Sequence, residues 1–291
     1  MSFSFYINAP EPPDYQRVLD GIDLWDVHCD EREPEEAPWP EGTLHFYRED
    51  LSTRGVEISL EDGKFQVRIL TLSSPEDYEL ALRFTESAAE ELGQMVEPED
   101  FEAMPAAELR DRYDDDWIRH TNEAGAAVIR QMVKEADAST LTMYGSKRPI
   151  HIGPRVVQEL EDDGPEEDFL DRLIEKMREI QNIDEGEYFF ANVMEARPTE
   201  AGQEDDAKFT FAVFGPEVKY LLPSARFYAL IVAEEEPPLF ITAEKLPLVL
   251  PEDSWSFLDE RQMLVEAVPE EAWLRIIQRA RQFEVDPLEE E

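Results

Sequence analysis

The sequence predicts an α+β fold built from two units, each a mainly antiparallel sheet packed with helices. Segments with strand alternation and segments with helical periodicity come in runs rather than in strict alternation. That order favours α+β over a doubly wound parallel sheet. The acidic, helix-breaking stretch EDDGPEED at 161–168 separates two helical patterns. We therefore expect an N-terminal unit at 1–163 and a C-terminal unit at 164–291.

The first unit contains most of the clearly alternating strands. In Val56–Leu60 and Lys64–Leu70 every second residue is apolar, which predicts a sheet with one buried face. Glu61-Asp62-Gly63 joins these two strands as a hairpin turn. The other strands predicted here are Ser2–Asn8, Thr43–Arg48 and Leu141–Tyr144.

Helix starts in the first unit are marked by capping residues. Ser74 precedes Pro75, and Asp77 follows three residues after Ser74, so a capped helix is predicted to run to Leu92. Asp14 is expected to cap a shorter helix that ends near Leu19. The remaining helices predicted here are Pro105–Arg112, Asp114–Ala136 and Pro154–Leu160.

The second unit is predicted to be strand-rich between two helices. An amphipathic helix begins at Pro165, and a final helix covers Glu271–Phe283 with Trp273 on its apolar face. The strands predicted between them are Glu187–Ala196, Lys208–Phe214, Val218–Leu222, Phe227–Val232 and Gln262–Ala267.

The charge of the chain restricts its partners. It has 69 Asp and Glu against 27 Lys and Arg, a formal net charge of -42. Such a field repels nucleic-acid phosphates and anionic lipid, so we expect no nucleic-acid or membrane partner. The same field attracts basic proteins. Solubilisation of the chain by its acids, or adaptation to a high-salt cell, would also account for this composition.

The composition, the N-terminal sequence and the cysteine content favour a cytoplasmic protein. Hydrophobic residues make up 42% of the chain, enough for a core, yet no segment approaches the roughly 20 apolar residues of a membrane span. The N-terminus lacks a signal-like leader. The single cysteine, Cys29, cannot form an internal disulfide, which fits a reducing compartment.

A basic segment, GSKRPIHIGPR at 145–155, stands out in this acidic chain. It does not match the phosphate-binding G-x-x-x-x-G-K-[ST] pattern, because Pro154 and Arg155 follow its second glycine. Lys147, Arg148 and Arg155 could still hold an anion near the helix start at Pro154. The favoured alternative is that they pair with the protein's own carboxylates.

Tests for metal and catalytic motifs give no match. His28 and Cys29 are adjacent, so on a strand they point to opposite faces. The other histidines lack zinc spacing, and Asp114-Asp115-Asp116 lacks EF-hand spacing and suits a helix start. No G-x-S-x-G element occurs. We expect no catalytic residues, no metal and no organic cofactor.

Aromatic residues in acidic loops are the candidates for partner binding. Trp39 follows Glu35 and Glu36 in a proline-rich loop at 31–42. Such a tryptophan is either tucked against its own domain or offered to a partner. Trp255 and Phe257, in EDSWSFLDE, pose the same alternative in the second unit.

In overall composition, a very acidic folded chain with aromatics in acidic loops, the protein resembles bacterial immunity proteins that neutralise polymorphic toxins. It also resembles bacterial domains of unknown function. The first resemblance implies a stoichiometric inhibitor that covers the active site of a basic cognate toxin. The alternatives are an enzyme or ligand-binding protein that holds an anionic substrate at Gly145–Arg155, and a housekeeping adaptor.

Overall fold

The structure, a computed structural model, confirms the α+β fold. It describes residues 2–29, 38–135, 140–165, 168–184, 186–196, 208–232 and 236–289. These residues group into two compact units, 1–182 and 183–291. The division falls after Asn182, later than the expected boundary at Asp163, because the helix before it packs on the first unit.

A six-stranded antiparallel sheet organises the first unit. Its strands lie in the order β2-β3-β4-β5-β1-β6. They are β1 (Ser2–Asn8), β2 (Val27–Cys29), β3 (Gly42–Arg48), β4 (Val56–Glu61), β5 (Lys64–Leu70) and β6 (Val96–Pro98). As predicted, alternate residues such as Ile58 on β4 and Val67 on β5 are fully buried.

The helices of the first unit begin at the capping residues that the sequence predicted. Asp14 Oδ1 accepts the Arg17 N–H at the start of α1 (Tyr15–Ile22). Ser74 and Asp77 form a capping box on α2 (Pro75–Leu92). The expected helix at 105–112 is a 3₁₀ turn, Ala106–Glu108, followed by α3 (Leu109–Arg112).

The rest of the first unit is a helical layer and a small hairpin. The hairpin pairs β7 (Leu141–Met143) with β8 (Ile150–Ile152), a strand that the sequence did not predict. The helices α4 (Asp115–Glu135), α5 (Pro154–Asp162) and α6 (Phe169–Gln181) pack against one another. The sequence assigned α6 to the second unit.

Two four-stranded sheets organise the second unit. Their orders are β10-β11-β13-β14 and β15-β16-β12-β9. The predicted strand at 187–196 is two strands that join different sheets. The strands are β9 (Phe189–Phe190), β10 (Val193–Ala196), β11 (Phe209–Phe214), β12 (Tyr220–Leu222), β13 (Phe227–Leu230), β14 (Leu239–Thr242), β15 (Trp255–Phe257) and β16 (Met263–Val265).

Two helices complete the second unit, α7 (Leu246–Val249) and α8 (Glu270–Ala280). Trp273 of α8 is buried in the core, as its helical spacing predicted, and its ring meets Phe214 edge to face. The Trp273 indole N–H donates to the Ile231 carbonyl at 2.7 Å. The helix is therefore fixed beside β13 by packing and by a partly buried hydrogen bond.

Candidate functional site

The basic segment Gly145–Arg155 is clamped by one side chain of α6. Gln181 Oε1 accepts the backbone N–H groups of Lys147 at 2.7 Å and Arg148 at 3.0 Å, and its Nε2 donates to the Arg148 carbonyl at 3.1 Å. A Cβ at Gly145 would lie 2.4 Å from Gln181 Nε2, so this approach requires glycine. The segment is thus a loop of fixed conformation.

The cations of this segment contact the protein itself. Lys147 Nζ lies 2.6 Å from Glu49 Oε1. The hydrogen bond and charge of Lys147 lower the pKa of the Glu49 carboxyl. Arg148 is buried, and neither Arg148 nor Arg155 is without an interaction partner. The pair with Glu49 favours the internal charge-partner role for Lys147 over an anion site. For Arg148 and Arg155 that role stays a prediction.

The buried side chain of Arg54 holds the residue that precedes the basic segment. The Arg54 guanidinium donates from Nε to the Tyr144 carbonyl and from Nη1 to the Thr71 carbonyl, both at 2.8 Å. Burial lowers the pKa of Arg54 to about 10, opposed by the nearby Glu57 and Asp77 carboxylates. Arg54 therefore joins the start of the basic segment to the sheet.

The aromatic residues that the sequence offered to a partner occupy different places. Trp39 is 1% exposed and packs against Tyr15 and Phe65, with ring centroids 5.0 and 4.9 Å away. It is tucked into its own unit, so its selection as a partner-binding residue was wrong. Glu35 and Glu36 lie outside the described residues.

Trp255 and Phe257 lie together on β15 in the second unit. Their ring centroids are 5.2 Å apart, edge to face. Both rings are partly buried against the hydrophobic core of this unit. A partner-binding role for them stays a prediction.

Trp25, which no sequence pattern marked as a candidate, is the most exposed aromatic residue described, at 96%. Its turn is held on both sides. Asp23 ends α1 in the left-handed conformation, with φ 53°. Asp26 is buried and pairs with Arg48 at 2.9 Å, while its carbonyl accepts the Glu49 N–H at 3.3 Å. Trp25 is thus presented from a fixed turn.

A cavity of about 350 Å³ opens between the sheet and α4 in the first unit; we refer to it as the aromatic cavity. Its lining includes three aromatic residues, Phe3, Tyr78 and Trp117. The Trp117 ring centroid lies 5.0 Å from that of Phe3 and 5.9 Å from that of Tyr78. This volume is at the lower end of the range for ligand pockets, about 300–1,000 Å³.

Small residues of α4 bring the helix close to the sheet at this cavity. A Cβ at Gly125 would lie 2.5 Å from Thr71 Cγ2, so the helix backbone approaches the turn after β5 only because no side chain intervenes. Ala124 is exposed and lines the same opening. The cavity is therefore shaped by α4 backbone and by the aromatic walls.

The polar groups of the cavity include the carboxyl of Asp100, the imidazole of His120 and several hydroxyls. Asp100 and His120 both line it and both are exposed. The Tyr113 hydroxyl donates to Asp100 Oδ1 at 2.7 Å and fixes that carboxylate. Burial, and then the bond to Asp100, raise the pKa of Tyr113, so its hydroxyl stays a donor at neutral pH. The carboxylate thus has a set orientation at the cavity wall.

No sequence spacing indicated this cavity. Phe3 comes from β1, Tyr78 from α2, Asp100 from the turn after β6, and Trp117 and His120 from α4. Only the packing of these separate elements brings the five side chains together. Trp117 lies within the helix predicted at Asp114–Ala136, and His120 is one of the histidines without zinc spacing.

The remaining sequence candidates have structural roles. Asp114 Oδ1 accepts the Trp117 N–H at 2.9 Å and caps α4, the alternative that the sequence favoured over a metal site. Among the described residues, no group of three or more His, Cys, Asp or Glu side chains is placed to hold a metal ion. None of the described helices combines the length and apolar character that a bilayer crossing requires.

The fold and the cavity define an α+β protein with a ligand-sized, aromatic-walled opening in its first unit. The profile of one family, described as "Domain of unknown function (DUF4299)", matches residues 2–195. The match covers more than half of the chain, and the protein belongs to the DUF4299 family. Neither the curated proteins nor the solved structures include a match to this chain.

Proposed function

We propose that this chain is an acidic binding protein that forms a stoichiometric complex with a basic protein partner. Its particular form in this proposal is an immunity protein that neutralises a basic toxin in the cytoplasm. The chain acts by occupying the partner's surface and not by catalysis. The observation that carries the proposal is the excess of carboxylates that remains after the cations pair within the chain.

Many of the described cations are already engaged by the protein's own acids. Arg110 contacts Glu79 at 2.8 Å and Glu86 at 2.7 Å. Lys219 in the second unit likewise contacts Glu187 and Glu266. Because acids exceed cations by 42 over the chain, such pairs leave a large excess of negative charge. This excess supports fast, salt-sensitive association with a basic surface.

Trp25 is the residue that we propose to bury its side chain against the partner, in addition to the long-range attraction between opposite charges. Exposed tryptophans at interfaces often contribute a large share of the binding energy. Its turn is fixed by the Asp26–Arg48 pair, so little conformational entropy is lost when a partner covers the ring. Asp23, exposed beside it, adds charge that favours a lysine or arginine above the indole ring.

The proposal is tested with the basic proteins encoded beside the chain's own gene. Each is expressed in a bacterial host with and without this chain, and growth is recorded. We expect one of them to arrest growth alone and to be tolerated when the chain is present. Calorimetry with that protein should give a 1:1 complex that weakens as salt rises.

Trp25→Ala is then expected to weaken the complex by about 2 kcal/mol, roughly thirtyfold in Kd, without loss of stability. Leu274→Ala in α8, another exposed apolar residue, is the matched control and should leave Kd unchanged. If no encoded basic neighbour binds the chain, the proposal is wrong. If the complex forms but Trp25→Ala binds as tightly as the wild type, Trp25 is not its anchor.

A further inference from the structure

We propose that the aromatic cavity binds the side-chain cation of a lysine or arginine. This inference rests on the proposed function, since it names the group on the basic partner that the first unit receives. The occupant has a defined chemistry, an ammonium or guanidinium group at the end of an apolar stem.

The walls suit an apolar stem that ends in a cation. Phe3, Tyr78 and Trp117 are among the lining residues, and aromatic rings attract positive charge, most strongly for tryptophan. The methylene groups of a long basic side chain gain by burial against the same rings. Ile69 and Leu70 add aliphatic surface to the lining.

The cavity lining contains one carboxylate, that of Asp100, and one imidazole, that of His120. Asp100 supplies a carboxylate, and the described lining includes no lysine or arginine. Tyr113 engages Asp100 Oδ1 only, and Oδ2 makes no hydrogen bond or ion pair with the described residues. A bound cation therefore meets an oriented acceptor without first breaking an ion pair.

Other ligand classes fit less well. An anion would face Asp100 and the field of a chain with net charge -42. A neutral apolar ligand would leave the Asp100 carboxylate without a charged partner. A volume of about 350 Å³ suits one long side chain better than a folded element of a partner.

The test uses three matched probes: the Nα-acetyl methylamides of lysine, arginine and norleucine. Norleucine has the apolar stem without the charge. We expect the lysine and arginine probes to bind with Kd roughly 0.1–1 mM, as the efficiency of small ligands allows. The norleucine probe should bind at least about tenfold more weakly, since it lacks the ion pair and the cation–π contacts.

Two variants locate the binding. Asp100→Asn keeps an acceptor for Tyr113 and should weaken the cationic probes about tenfold, without effect on norleucine. Ala124→Leu fills the opening and should abolish binding of all three probes. Asp111→Asn and Ala127→Leu are the matched controls, since both residues are exposed and lie outside the cavity lining.

Equal binding of norleucine and lysine, or unchanged binding in Asp100→Asn, would overturn the inference. So would cationic probes that bind Ala124→Leu as well as the wild type. These results leave the proposed function standing if the protein partner still binds. With that partner available, Ala124→Leu but not Ala127→Leu should weaken the complex. An unaffected complex would mean that the cavity holds free small cations and not a partner's side chain, contrary to the inference.

Discussion

Replacement of Asp77 is predicted to be among the most damaging single changes in the first unit. This side chain is fully buried at the start of α2. Its Oδ2 accepts the backbone N–H groups of Thr53 and Arg54 at 3.1 Å and of Ser74 at 3.0 Å. It also accepts the Thr53 hydroxyl at 3.1 Å. One carboxylate oxygen thus joins the helix cap to the start of β4.

The expected loss follows from those contacts. Loss of a helix-capping interaction costs about 1 kcal/mol, and each buried donor left without an acceptor costs about 1–3 kcal/mol. Local rearrangement recovers part of this. We expect Asp77→Ala to lower the free energy of unfolding by about 4 kcal/mol. Asp77→Asn keeps one acceptor oxygen and should lose about 1–2 kcal/mol.

The assay is urea unfolding followed by tryptophan fluorescence, since Trp39 is buried in the same unit. Glu76→Ala is the matched control in the same helical turn. Its carboxylate pairs with Arg178 at 2.8 Å near the surface, so its removal should cost at most about 1 kcal/mol. If Asp77→Ala and Glu76→Ala unfold within about 1 kcal/mol of each other by such measurements, the reasoning about the buried acceptor is refuted.

Two further predictions concern the basic segment. Gln181→Ala should lower the free energy of unfolding by about 2–4 kcal/mol, because the backbone N–H groups of Lys147 and Arg148 lose their acceptor. Amide hydrogen exchange at these two residues should become faster. Unchanged exchange would contradict the role of Gln181 as a clamp. Lys147→Ala should raise the pKa of Glu49, measured by NMR titration, because Lys147 lowers this pKa in the wild type. A carboxyl whose pKa is lowered in the folded state stabilises the protein above its unfolded-state pKa, and this stability is lost as pH falls through the folded-state pKa. The loss of stability on acidification should therefore be smaller in Lys147→Ala than in the wild type. An unchanged Glu49 titration in the variant would contradict the ion pair.

Local signals in the sequence were enough to predict many helices and strands of the first unit. The alternation in 56–60 and 64–70 predicted the buried face of β4 and β5, because successive side chains of a strand point to opposite faces. Ser74 and Asp77 predicted the start of α2, because the cap is formed within a few residues of the chain. Such features depend only on neighbouring residues.

Short strands and the division into units depend on contacts between residues far apart in the sequence. The three residues of β8 are too few for their alternation to predict a strand, and they form one because β7 lies beside them. The breaker at 161–168 ends α5, yet α6 remains with the first unit. Arg178 of α6 donates to the Leu51 carbonyl at 3.1 Å, and Gln181 clamps the basic segment. These contacts join residues far apart in sequence, so no local pattern reports them.

The amino-acid sequence by itself determined the net charge, the α+β class and the capped helices of this protein. Only the tertiary structure decided whether the two loop tryptophans, Trp25 and Trp39, are buried. Trp39 lies in an acidic, proline-rich stretch yet is buried, because its ring fills a space between Tyr15 and Phe65. Trp25 follows a partly buried leucine yet is exposed, because its turn is fixed by Asp26 and Arg48. Burial depends on which distant elements meet at a residue, and local composition does not encode that meeting.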